Sequence, residues 1–362
     1  MGCTADIPPS DAPPTDSPPS DSPSIDPVQA RASLKISNAM SGWLASGIQV
    51  ARGDELTLFG SGVLDAEGLK LEPRHLLWYR IGADAEARNF SANQETFTAD
   101  ADGEIFLTLR PLGVYWPDSR GTYPQGFAAA PAVPVDFRID IVRFQDSATA
   151  GLQSLAGTGD TAAAAALSAI AARKVLPPGF EPLSYLSRSN VWGEGTVDGR
   201  PGISAETSDD VEIVKKPLDI PLTPDTVLSF QWRYDALPAR GPETEAAFHD
   251  YLSIALEFDN GQDLTWMWSS RLAEGTHFGC PLPWWDSRET HFVLQSGEAG
   301  LGDWFTHSRK VLEDYDASIK VERPTRIVGV WFIANSLFAR QRAAASFAEV
   351  TITNPDQKVE IF

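Results

Sequence analysis

Four of the five histidines, His249, His277, His291 and His307, fall in the C-terminal half of the chain, together with Arg233, Asp250 and Glu257. A histidine can act as general base and a carboxylate pair as acid and base, while an arginine neutralises the carboxylate of a uronate substrate. The candidate catalytic set is therefore His249, Asp250, His291 and Arg233, suited to lyase or hydrolase chemistry on a polysaccharide. Against it, the chain has no Ser nucleophile elbow and no HExxH pattern, and its cysteines and histidines lack zinc-site spacing. A second chemistry comes from aromatic rings. Eight of the eleven tryptophans lie beyond residue 185. In Trp266-Met267-Trp268 both indoles point to one face of a strand, which is the pattern of a core. Trp284 and Trp285 instead follow Cys280-Pro281-Leu282-Pro283 in a stretch built of turn residues. A rigid loop aromatic suits stacking on a sugar face, with Asp286 and Arg288 beside it to orient hydroxyls. Those four residues are the candidate ligand-binding set.

The elements that would position these groups are β-strands. A chain of 362 residues exceeds one ordinary hydrophobic core and predicts two domains. Short alternating segments separated by Gly, Asp and Pro turns predict a β-sandwich over residues 30–146 and a Trp-rich, jelly-roll-like sandwich over residues 185–362. Asp259-Asn260-Gly261 marks a hairpin turn. Between the domains, residues 147–184 read as a linker in which Asp160 or Thr161 caps a short Ala-rich helix ending before Pro177-Pro178. The expected fold class is mostly β: two sandwiches joined by a short helix and preceded by a disordered Pro-rich tether over residues 1–29.

A formal charge of −20 with no basic cluster argues against nucleic acid as a partner. No run of about 20 apolar residues spans a bilayer, so attachment to a membrane would have to be covalent. Met1-Gly2-Cys3 looks like the end of a bacterial lipobox and makes Cys3 the expected lipidation site. Gly2 myristoylation would want Ser or Thr at position 6, where Asp6 stands. The following near-repeat of Pro-Pro-Ser/Thr-Asp is a spacer. Some 20 residues at about 3.1 Å each would hold a domain roughly 60 Å from its anchor.

Two resemblances add to this reading. Gly47–Gly62, with its Gly53-Asp54 turn, then His75–Gly82 and Gly121-Thr122-Tyr123, make residues 40–144 similar to the calcium-dependent, galactose-binding bacterial lectins of the PA-I (LecA) type. The resemblance implies that Asp118 and Thr122 stand where that family binds calcium. The Asn pair of the family's loop is here Gln125-Gly126, so the cofactor expected is none, or a weakly bound calcium. The second domain, through Phe230–Pro238, Asp250-Tyr251, Trp266–Trp268, Trp304 and Asp314-Tyr315, resembles a secreted bacterial family known only as a domain of unknown function. The function expected is carbohydrate or glycoconjugate binding by a cell-envelope lipoprotein facing the periplasm or the exterior, reaching the membrane through its lipid alone. A polysaccharide-degrading enzyme and a non-catalytic envelope assembly protein with protein partners are the alternatives.

Overall fold

The computed structural model describes residues 26–36, 42–66, 69–110, 116, 118–123, 135–183, 189–283 and 285–362. The protein is mostly β, as the alternating segments predict. Four principal sheets pair off into two sandwiches. In the first, strands Val28–Ile36, Phe137–Phe144, Glu55–Ser61 and Gln94–Thr98 form one sheet. Leu44–Val50, Gly103–Leu109, Leu77–Ile81 and Arg88–Asn89 form the other. Alternate residues such as Leu56, Leu58, Ile105, Leu107, Ile139 and Ile141 fill the space between them. Each large aliphatic side chain removed from water there contributes roughly 1.5–3 kcal/mol.

The stretch expected to hold one short linking helix holds two, Ala148–Gly157 and Thr161–Ala171. Asp160 caps the second by accepting from the backbone N–H groups of Ala162 and Ala163. The pair is docked: Val142, Phe144, Ala148, Leu152, Ala163 and Ala166 form a small core of their own. Gly151 makes the approach possible, because a Cβ there would lie 2.2 Å from Cδ1 of Phe144. Small residues in this stretch therefore serve close packing.

The second sandwich stacks a seven-stranded sheet on a six-stranded one. The seven-stranded sheet runs Glu181–Pro182, Val211–Pro221, Arg326–Asn335, Tyr251–Phe258, Asp263–Ser269, Glu289–Ser296, His277–Gly279. The six-stranded sheet runs Trp192–Val197, Arg200–Thr207, Ala343–Thr353, Val227–Ala236, Trp304–Lys310, with Lys358–Glu360 added to Ala343–Thr353. Among the described residues, pairing is antiparallel except between Asp263–Ser269 and Glu289–Ser296, which run parallel. Parallel neighbours need a crossover, and residues 270–288 supply it. Trp192, Phe230, Trp232, Tyr234, Trp266, Trp268, Phe332 and Phe347 fill the space between the two sheets. Trp266 and Trp268 thus lie in the core, as their spacing predicts.

The two sandwiches touch through residues of the Pro73–Leu76 turn. Arg74 pairs with Glu72, Asp209 and Asp210, and Leu337 of the second half packs into the first core.

Candidate functional site

Two of the four C-terminal histidines, His249 and His291, come together, and they do so under the crossover. In Glu289–Ser296 the alternate residues Glu289, His291 and Val293 are buried, so all three point to one face of the seven-stranded sheet. His249 stands just before Tyr251–Phe258, and Cys280 follows His277–Gly279 at the far end of the crossover. His249 Nε2 lies 3.3 Å from Cys280 Sγ, and His291 Nε2 lies 3.6 Å from Glu289 Oε1. The two imidazoles meet edge to face with ring centroids 4.9 Å apart, and Phe278 stacks on His291 at 4.9 Å.

Burial dominates the electrostatics of this cluster. It draws His249 down to about 4 and His291 well below the usual imidazole range, the neighbouring His249 adding to the second effect. It raises Glu289 and Cys280 above their ordinary values. Both histidines are neutral at pH 7, and each has no exposed surface.

The expected catalytic set requires correction on this geometry. His249, Asp250 and His291 are completely buried, so in this conformation no polymer can touch them. Asp250 accepts from the backbone N–H groups of Phe338 and Ala339, tying a turn to the sheet. Arg233 belongs to the other sheet and points to solvent-facing partners, Asp198 and Asp235. Acid, base and arginine therefore do not share a cleft.

The loop set also disperses. Trp284 lies outside the described residues. Trp285 is half-buried and meets the buried Trp331 edge to face, at 6.2 Å and 89°. Asp286 is exposed. Arg288 turns inward: its guanidinium reaches the fully buried Asp263 at 2.6 Å and Glu257 at 3.4 Å. It serves the fold, because an unpaired Asp263 carboxylate would be costly in that position.

In the loop expected to bind calcium, Asp118 Oδ1 accepts from the N–H groups of Arg120 and Thr122. Its Oδ2 accepts from the Thr122 hydroxyl at 2.8 Å, and these bonds hold the Asp118 carboxyl below its usual range. The two residues form a self-satisfied turn. Among the described residues, no third acidic, histidine or cysteine side chain completes a ligand set around them. Cys3 lies outside the described residues.

A different surface emerges on the six-stranded sheet. Val227–Ala236 alternates half-buried and buried, which leaves Ser229, Gln231 and Arg233 on the outer face. Register places Thr306 opposite Gln231 and Trp304 opposite Arg233. The half-buried Trp304 donates its indole N–H to Asp198 at 2.8 Å, with the guanidinium carbons of Arg200 and Arg233 at 4.7 and 5.6 Å from its ring. Arg200 and Glu349 both hydrogen-bond Gln231. The face continues into a groove of about 440 Å³ lined by Ser229, Gln231, Thr306, Glu349, Thr351 and Lys358. Trp304, Gln231 and Glu349 carry no local signal of a shared site, because their juxtaposition depends on strands far apart in the chain. Cys280 and Glu289 were missed in the sequence, although the spacing Glu289-Thr290-His291 on a strand already implies a shared face.

Residues 179–351 match the family described as "Protein of unknown function (DUF3047)", a span that contains the buried cluster and the open sheet face as far as Thr351. No curated protein matches the chain. Among solved structures, the chain is similar to the N-terminal CBM22-1-CBM22-2 tandem domain of Paenibacillus barcinonensis Xyn10C. The identity is 10%, the coverage 90% of this chain and 99% of that one, and the TM-score 0.24. SGBP-B from a complex xyloglucan utilization locus in Bacteroides uniformis matches at 11% identity over 88% of this chain and 73% of its own, with a TM-score of 0.24. An exo-beta-agarase matches at 12% identity over 51% of this chain, with a TM-score of 0.23. There the chain spans only 24% of the agarase.

Proposed function

We propose that this protein binds carbohydrate or glycoconjugate at the bacterial cell envelope through the outer face of its six-stranded sheet. The observation that carries the reading is the partly exposed Trp304 on the same strand as Thr306, which lines a groove where the polar groups of Gln231, Glu349 and Thr351 alternate with the apolar Phe230, Val350 and Phe362. A pyranose has an apolar C–H face and a rim of hydroxyls. An indole takes the first, while Gln231, Thr306, Glu349 and the paired arginines hydrogen-bond the second. The groups are pre-positioned by their mutual bonds, which lowers the ordering cost of binding. Lipid on Cys3 and the Pro-rich spacer would hold this face away from the membrane, facing the periplasm or the exterior.

The test is a glycan array with the full chain, followed by calorimetry on any hit. Trp304→Ala and Gln231→Ala should each weaken binding at least tenfold while leaving the melting temperature nearly unchanged. Glycan binding that survives both changes overturns the assignment of this face. The anchor is tested separately, by mass spectrometry of the N-terminal peptide after expression of the native precursor in a bacterium. A free thiol at Cys3 would remove the lipoprotein reading.

A further inference from the structure

The ligand atoms of His249, Cys280, Glu289 and His291 all lie within 4.8 Å of one another. Two of the edges are 3.3 and 3.6 Å. A tetrahedral zinc site, with bonds of about 2.0–2.1 Å to nitrogen and oxygen and about 2.3 Å to sulfur, has edges of roughly 3.3–3.7 Å. The cluster is thus close to the size of a zinc coordination shell.

Neighbouring groups orient the donor atoms of the cluster. The Glu243 carbonyl can only accept, so the 2.6 Å contact with His249 Nδ1 fixes the proton on Nδ1 and leaves the Nε2 lone pair aimed at the cluster. Glu289 Oε1 accepts from the hydroxyls of Tyr251 at 3.0 Å and Thr265 at 3.2 Å, which orient the carboxylate. His291 is the anomaly. It has no exposed surface, and neither ring nitrogen has a hydrogen-bond partner among the described residues. An imidazole left in that condition forfeits its hydration without return, and a metal bond to one nitrogen supplies the missing interaction. Charge also closes: a thiolate, a carboxylate and two neutral imidazoles together cancel a dication in a site of 0 to 3% exposure.

We propose that His249, Cys280, Glu289 and His291 bind one zinc ion, and that this ion fastens the 270–288 crossover to the seven-stranded sheet. Four protein ligands with no access to solvent make a structural centre, since a catalytic zinc keeps a coordination position for water or substrate. Sulfur, nitrogen and oxygen donors in one shell exclude magnesium and calcium, which prefer oxygen throughout. Cys280 is the one ligand drawn from the crossover itself, so the metal's hold on the loop runs through it.

The experiment uses the full chain. Elemental analysis of the purified protein should give one zinc per chain. Unfolding in guanidinium with a chelator, then refolding without metal, should lower the melting temperature by more than roughly 5 °C, and zinc chloride should restore it. Refolding with cobalt should produce a sulfur-to-cobalt charge-transfer band and the strong visible absorption of four-coordinate cobalt. Cys280→Ser should abolish that band and Cys3→Ser should leave it. The analysis and refolding need no variant, so a failure of Cys280→Ser to fold does not shield the proposal. A metal-free protein whose melting temperature ignores zinc overturns it, as does one copper per chain or a charge-transfer band that persists in Cys280→Ser.

Discussion

The two sheets of the second sandwich share one core and differ on their outer faces. In the six-stranded sheet, Val227–Ala236 alternates between buried and half-buried positions, and its outer side is open and polar. In the seven-stranded sheet, Asp263–Ser269 is buried at every position, and Tyr251–Phe258 at every position but Glu257. Leu272, Phe278 and Trp285 of the crossover cover its outer side, packed on Tyr251, Met267, Val293 and Trp331. A single strand-order choice, the parallel pairing of Asp263–Ser269 with Glu289–Ser296, creates this difference, because it demands a long connection and lays that connection across the face. Covered polar groups must then find partners inside the protein, whereas those on the open sheet remain available to a ligand.

The sharpest way to break this comparison is through Arg288, which a loop-binding reading makes a ligand contact and the structure makes an internal counter-ion. Arg288→Ala removes the counter-ion of the buried Asp263, whose carboxyl burial raises to about 7, and should cost about 3–5 kcal/mol in urea unfolding above that pH, where the acid would otherwise be charged. Asp263→Asn in the same chain should return part of that loss, a coupling that a double-mutant cycle measures. A stability change below about 1 kcal/mol would mean that Arg288 is free to serve a ligand and that the crossover is only loosely attached.

Arg288 also illustrates what the sequence reveals. Strands with one wet face are legible from alternation, as in Phe230-Gln231-Trp232-Arg233-Tyr234. The Asp259-Asn260-Gly261 turn is legible too: Gly261 adopts φ of 80°, and its N–H bonds back to Phe258. The covered face is not, because turn residues such as Pro281, Pro283 and Asp286 describe a loop equally well whether it lies on a sheet or in solvent. The buried cluster is harder still. Its ligands come from three segments separated by an unforeseen parallel pairing, so no local spacing encodes them. The Ala-rich stretch shows the second helix and its Asp160 cap, whereas the first helix ends at a turn where Gly159 adopts φ of 95°, and its docking rests on Gly151 fitting against Phe144.

A smaller effect probes how the two sheets are tied together. Glu212, on the seven-stranded sheet, accepts from the backbone N–H groups of Ser189, Val191 and Trp192, the last at the start of a six-stranded-sheet strand. Burial pushes its carboxyl up to about 7 despite those bonds. A raised carboxyl means that the folded protein holds a proton the unfolded chain releases. The associated stability is therefore complete below the ordinary value near 4.5, and is lost as pH rises through about 7. The loss should amount to roughly 3 kcal/mol across that window. Glu212→Gln should flatten this part of the curve of unfolding free energy against pH. A slope equal to that of the unaltered protein would place the titration elsewhere.

The smallest effect separates the two tryptophans that flank the comparison, Trp285 on the covered face and Trp304 on the open one. Both are half-buried, so exposure alone does not distinguish them. Their partners do. Trp285 packs edge to face on Trp331, whose own surface is fully buried, and truncation leaves a gap over that ring. Trp304 packs under solvent-facing arginines and donates to the exposed Asp198, so water can replace most of what truncation removes. Trp285→Ala should therefore cost about 1–2 kcal/mol, part of the roughly 3–5 kcal/mol of a fully buried aromatic, and Trp304→Ala about 0.5 kcal/mol. Thermal melts of both variants beside a common glycan titration complete the test. Trp285→Ala should melt lower with its affinity intact, and Trp304→Ala should keep its melting point and lose affinity. The reverse ordering would move the binding face from the open sheet to the crossover, because a residue whose removal costs binding and not stability is one the fold holds out for a ligand.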